Sequence, residues 1–145
     1  MTQNWQPFGT HRYRKDQEVI ILQTHGEIRL ADMEKLVSLL NEQFAEHGYS
    51  LLLSDIHGGL SIGKEARRLV LEGFLKNHAD LFLNAVIGAT TLSRGLIALF
   101  SGAARTLFKK NTNVHFFDTE AEARAFLDSQ SRRLRAQKKL REPPL

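Results

Sequence analysis

The sequence predicts an α/β fold: one domain with a mainly parallel, mixed sheet of five strands and about four helices, in the order β-β-α-β-α-β-α-β-α. Three observations carry this. Short uninterrupted apolar runs, Val19-Ile20-Ile21-Leu22, Leu51-Leu52-Leu53 and Ala85-Val86-Ile87, suit strands covered on both faces. Between them lie segments whose apolar residues recur every three or four positions, the period of a helix. Strands alternating with helices imply right-handed crossovers and hence a mostly parallel sheet.

Taken in order, His11 to Lys15 pairs as an antiparallel strand with Glu18 to Thr24, with Lys15-Asp16-Gln17 as the turn. Leu30, Met33, Leu36, Val37, Leu40 and Phe44 define the first helix, and Gly48 is placed to stop it. Ser50 to Ser54 is the next strand, and Asp55-Ile56-His57-Gly58-Gly59 breaks it with a tight turn. Ser61 then stands where a cap is needed for a second helix, whose Ala66, Leu69, Val70, Phe74 and Leu75 face the core. Leu83 to Ala89 is a strand, Thr90 or Thr91 caps a third helix from Leu92 to about Lys109, and Val114 to Phe117 is the last strand. Thr119-Glu120-Ala121-Glu122 has the spacing of a capping box and opens the final helix, with Ala123, Phe126 and Leu127 on its buried face.

Two stretches tie this skeleton to a known group. Leu51-Leu52-Leu53-Ser54-Asp55-Ile56-His57-Gly58-Gly59-Leu60-Ser61-Ile62-Gly63-Lys64-Glu65-Ala66 resembles the strand, loop and helix of STAS domains, the fold of anti-sigma-factor antagonists and sulfate-transporter tails. It is also similar to the STAS-like proteins grouped with lipid-binding CRAL-TRIO modules. Val86-Ile87-Gly88-Ala89 and the run from Val114-His115-Phe116-Phe117 to Phe126-Leu127 resemble later parts of that group, so the likeness covers about Glu18 to Leu127. The resemblance implies a regulatory module with a protein partner. In antagonists the loop carries Asp-Ser-Ser/Thr-Gly and its hydroxyl is phosphorylated; by position that residue would be Ser61. The loop here reads Leu60-Ser61-Ile62-Gly63, without the neighbouring Asp. A phosphate on Ser61 would sit at a helix amino terminus near Lys64, Arg67 and Arg68, whose charges and amides favour it.

Composition narrows the function classes. A chain of 145 residues suits one core, and 42% hydrophobic with 25% charged residues exclude both global disorder and a membrane-embedded protein. The domain is expected over residues 1–131, with residues 132–145 a basic helix end and tail. The net charge of +4 owes much to Arg132, Arg133, Arg135, Lys138, Lys139 and Arg141, ahead of the helix-ending Pro143 and Pro144. A solvated helix end accounts for it. Nucleic acid is not the expected partner, because aromatic residues are not interleaved with the basic ones for base stacking. There is no cysteine, which removes disulfides, thiolate metal sites and cysteine nucleophiles. Met1 to Phe8 lacks the order of a secretory signal, and a cytoplasmic protein is expected.

Catalysis finds little purchase. His11, His25, His47, His57, His78 and His115 include no i, i+4 pair for a metal, so neither metal nor other cofactor is expected. His57 with Asp55 is the best catalytic candidate, since ligands of α/β sheets bind at the carboxyl ends of strands, yet no nucleophile-base-orienter set is readable. Gly58-Gly59 lacks phosphate-loop spacing. No enzyme is expected.

The third helix is the unusual element. Leu92, Leu96, Ile97, Leu99, Phe100, Ala103, Ala104, Leu107 and Phe108 form an apolar surface wider than one core-facing stripe, and Gly95, Ala98 and Gly102 add a strip of small residues. Leu92 to Phe108 is shorter than the roughly 20 residues a bilayer requires and contains Arg94 and Arg105. Either the helix is simply buried, or part of its face serves a homodimer, an apolar pocket, or membrane contact aided by Arg105, Lys109 and Lys110. The leading reading is a non-catalytic regulatory or interaction module that binds a protein partner, or itself, through Leu92, Leu96, Leu99, Phe100, Ala103 and Leu107 and through the loop residues Asp55, His57, Gly58, Gly59, Ser61 and Lys64. The alternative is a carrier or sensor of an apolar small molecule or lipid.

Overall fold

The computed structural model describes residues 4–109 and 113–141, so the expectations placed on Lys110, Pro143 and Pro144 fall outside the described residues, as does the side chain of Arg141. The strands are β1 (Gln6–Phe8), β2 (His11–Asp16), β3 (Val19–Gln23), β4 (Gly26–Ile28), β5 (Ser50–Asp55), β6 (Leu60–Ile62), β7 (Phe82–Ile87) and β8 (Asn113–Phe117). The helices are α1 (Leu30–His47), α2 (Lys64–Val70), α3 (Lys76–His78), α4 (Thr91–Phe108) and α5 (Glu120–Arg141), with a π-helical stretch at Leu71–Leu75 joining α2 to α3 and a 3-10 turn at Ala79–Leu81 after it.

The main sheet has six strands in the order β1-β2-β3-β5-β7-β8; β1, β2 and β3 pair antiparallel, while β3, β5, β7 and β8 run parallel. It contains the five expected strands and one more, β1, which is too short to show a period in sequence. A separate two-stranded parallel pair, β4 with β6, was also not legible. The apolar runs are double-faced as anticipated. Ile20, Leu22 and Leu52 turn to a core shared with Met33, Leu36 and Leu40 of α1 and with Phe74 and Leu75, whereas Val19, Ile21, Leu51, Leu53 and Ala85 turn to Ala123 and Leu127 of α5.

Local chemistry sets the ends of the elements. Gly48 closes α1 at φ 81°, donating its amide to the Phe44 carbonyl at 2.7 Å. Leu30 begins this helix but is 39% exposed, outside the core stripe it was assigned to. The β2–β3 turn falls on Gln17 and Glu18, with Gln17 at φ 56°. Thr90 caps α4, its hydroxyl accepting from the Ser93 amide at 3.2 Å. At α5 half of the expected box forms: the Thr119 hydroxyl accepts from the Glu122 amide at 3.2 Å and donates to the Glu122 carboxylate at 2.9 Å.

The expectation that Ser61 caps the second helix is corrected. Ser61 lies in β6, level with Glu27 of β4, and the cap of α2 is Gly63. The short strand runs to Ile62, so the chain is still extended at residue 61 and turns helical only at Lys64, three residues later.

Candidate functional site

Two places collect the residues singled out above. The first is the loop after β5. Its path is set by backbone bonds: the Ile56 amide donates to the Ile87 carbonyl at 2.9 Å, the Thr24 amide to Asp55 at 3.0 Å, and the Gly59 amide to Ile56 at 3.0 Å. The Thr24 hydroxyl donates to the Gly59 carbonyl at 2.7 Å. Gly59 turns at φ +98°, and Gly58 passes so close that a β-carbon there would lie 2.4 Å from the Thr24 carbonyl oxygen. The glycine pair therefore serves the tight turn.

At the mouth of this turn Asp55 orients His57. The carboxylate Oδ1 accepts from the His57 backbone amide at 3.1 Å and lies 2.7 Å from Nδ1, while Oδ2 accepts from Gln23 Nε2 at 3.3 Å. Paired on its Nδ1 side, the exposed ring presents Nε2 outward. Among the described residues no hydroxyl or second base hydrogen-bonds that ring, so the pair is a positioned base without a nucleophile beside it. His11, by contrast, is structural: buried, it accepts the His25 amide at Nδ1 (2.8 Å) and faces the Glu27 carbonyl with Nε2 (2.9 Å). Among the described residues no group of three or more His, Cys, Asp or Glu is arranged to hold a metal.

The second place is the third predicted helix, α4. Only Ser93 and Ala104 of its residues are buried; Leu92 is 85%, Leu99 71% and Leu107 64% exposed. The reading in which this helix is simply enclosed between sheet and neighbours thus does not hold. Its inner side, at Ile97, Phe100 and Ser101, stands over the sheet across a cavity of about 120 Å³ lined mostly by apolar side chains such as Leu22, Leu52 and Val86. Its outer side faces α2 across a groove of about 330 Å³. Leu96, Leu99, Phe100, Ala103 and Leu107 all line that groove, whereas Leu92 does not. From the loop set only Lys64 reaches it; Asp55, His57, Gly58, Gly59 and Ser61 do not.

Arg67, Arg68, Leu71, Glu72 and Phe108 complete the groove. Arg67 and Arg68 stood out in the sequence only as neighbours of a phosphate on Ser61. Their role as a wall follows from helical spacing, because Lys64, Arg68 and Leu71 fall on one face of α2 and its continuation. Leu71 and Glu72 lie in the π-helical stretch, where the wider turn shifts the face that a regular helix would present. Asn41 of α1 donates to the Gly73 carbonyl inside that stretch at 3.3 Å. At the ends of α4, Arg94 lies over the Phe116 ring at 4.5 Å and Lys76 approaches the Phe108 ring at 6.0 Å.

Comparison with known proteins agrees with this architecture. A family model described as SpoIIAA-like matches residues 19–128. No curated protein matches by sequence. Three solved structures are similar in fold. An uncharacterized protein with a SpoIIAA-like fold from Shewanella loihica aligns with a TM-score of 0.51 at 20% identity, over 81% of this chain and 91% of its own. A putative anti-sigma factor antagonist from Thermotoga maritima gives 0.52 at 14% identity, over 83% and 97%. The unphosphorylated anti-sigma factor antagonist SpoIIAA gives 0.54 at 10% identity, over 83% and 97%. At these identities the likeness is one of fold.

Proposed function

Because the chain belongs to the SpoIIAA-like family, we propose that it acts as a non-catalytic regulatory module that binds a protein partner through α4 and the Asp55 to Lys64 loop. Two of the similar structures are described as anti-sigma factor antagonists, proteins whose action is on another protein. The observation that carries the reading is the uncovered apolar face of α4, with Leu92, Leu99 and Leu107 all more than half exposed. Contiguous exposed apolar surface marks interaction sites.

The loop is the second contact. Ser61 is exposed in β6, open to modification, and a phosphate there would lie three residues before Lys64, the first residue of α2, and close in sequence to Arg67 and Arg68. The Asp55 and His57 pair then serves as a polar contact at the loop mouth. Among the described residues no helix is long and apolar enough to cross a membrane.

The carrier reading draws on the apolar cavity beneath α4. Its volume of about 120 Å³ is close to that of an engineered apolar cavity that takes up benzene and below the several hundred Å³ of usual ligand pockets. A small apolar molecule fits; an acyl chain does not unless α4 moves.

The test is binding with purified components. A partner recovered by affinity capture is repurified and titrated with wild type, Leu99→Asp and Ser61→Asp. Weakening by Leu99→Asp and a changed affinity with Ser61→Asp support the module reading. Binding that neither substitution alters overturns it, and an apolar molecule retained on native mass spectrometry favours the carrier.

A further inference from the structure

The groove between α2 and α4 combines three properties that together select a kind of partner. Its floor is apolar, built from Leu96, Phe100 and Ala103 on one side and Leu71 on the other. Along α4 the leucines recur at 92, 96, 99 and, past Ala103, 107, the spacing at which one helix meets another. Gly95 and Gly102, which do not line the groove, have open space where a β-carbon would stand. The walls are basic. Lys64, Arg67 and Arg68 line the groove against a single acidic residue, Glu72, which is already engaged by Arg68 at 3.3 Å. The 18 residues of α4 include no Asp or Glu to offset these walls, and its own Arg94 and Arg105 lie outside the groove lining.

From this charge pattern we infer that the groove receives an acidic amphipathic helix of a partner protein, its leucines on the apolar floor and its carboxylates against Lys64, Arg67 and Arg68. The inference rests on the interaction reading above and specifies the partner's chemistry. A second copy of the chain is disfavoured: a two-fold contact on this face would bring together two basic walls, in which, among the described residues, only Arg68 has an acidic partner, Glu72. A flat anionic bilayer would touch the projecting Leu92, Leu99 and Leu107 but would leave the half-buried Phe100 and Ala103 uncovered, whereas a helix can set its side chains between α2 and α4.

The test titrates the full chain into a fluorescein-labelled peptide of about 18 residues with leucine at i, i+3, i+4 and i+7 and glutamate on the flanks. Two controls are used, one with lysine for every glutamate and one with the same residues shuffled out of period. The acidic periodic peptide is expected to bind at least ~10-fold more tightly than either control, with affinity falling as salt rises. Leu99→Asp and, independently, the double variant Arg67→Glu/Arg68→Glu each weaken it by at least ~10-fold. Both changes are at solvent-accessible positions on different helices, so circular dichroism should report native folding for at least one. Equal binding of the shuffled peptide, preference for the lysine peptide, or indifference to both variants overturns the proposal. So does binding of phosphatidylglycerol vesicles with no peptide binding, or a dimer that Leu99→Asp splits. If a repurified partner still binds wild type but loses affinity only on loop substitution, this proposal falls and the interaction reading stands.

Discussion

A β-carbon at residue 88 would lie 2.6 Å from Cγ of His57 and 2.7 Å from its Nδ1, and the backbone there is at φ +81°. Gly88→Ala therefore pays twice, in left-handed strain and in displacement of the ring that Asp55 orients. It should cost more than ~1 kcal/mol by denaturant unfolding, and the His57 ring resonances should shift. Ser61 makes the opposite case. As an exposed residue of β6, not a cap, it can be replaced by Ala with a change of only about 0.5 kcal/mol or less. A loss near 1 kcal/mol would restore the capping role that its position beside a helix suggested.

At the scale of elements, α4 depends on its cap more than on its core. The Thr90 hydroxyl holds the Ser93 amide, and the Ser93 hydroxyl accepts from the Thr90 amide at 2.7 Å, while only Ser93 and Ala104 are buried along the helix. Thr90→Ala should cost about 1 kcal/mol and raise amide exchange along α4 ahead of the rest of the molecule. Leu127 on α5 contrasts with the leucines of α4. It is fully buried against the Val19, Leu51 and Ala85 face, so Leu127→Ala should lose about 2–5 kcal/mol, whereas Leu99→Asp should leave the midpoint of unfolding nearly unchanged.

Across the whole molecule, α5 is latched to the β2–β3 hairpin by polar contacts as well as by Leu127. Arg124 bonds Asp16 at 2.8 Å and Asp128 at 3.0 Å, and these carboxylates outweigh its burial and push its pKa up. Residues of the basic C-terminal stretch also reach the body: Arg135 stands 3.6 Å from Glu18, and Lys138 donates to the His47 carbonyl at 3.0 Å. Burial alone would raise Glu18, but hydrogen bonds from Ser131 and Tyr49 and the charges of Arg135 and His47 together hold its carboxyl below the ordinary value. A depressed carboxylate contributes stability that is present above its unfolded pKa and lost as pH falls through the folded one. His78, lowered by burial and stacked on Phe44 with ring centroids 3.8 Å apart, acts in the same direction over the histidine range. Unfolding free energy should therefore decline on acidification, first as His78 is forced to protonate and then as Glu18 does. Glu18→Gln should flatten the lower limb, and an unaltered slope would remove Glu18 from the latch.

The residues themselves determined the alternation of strands and helices, the two-faced burial of β3, β5 and β7, the stop at Gly48 and the excess of apolar surface on α4, because period and apolar run length are properties of neighbours in the chain. Thr90 and Thr119 were legible as caps for the same reason. What only the tertiary structure decided involves partners distant in sequence. Ser61 is a strand residue because Gly26–Ile28 offers β6 a parallel neighbour, a pairing across more than thirty positions that no local pattern encodes. The basic wall opposite Leu99 exists because α2 and its π-helical extension stand beside α4, so cations that the sequence offered only as neighbours of a phosphate on Ser61 come to flank the apolar face.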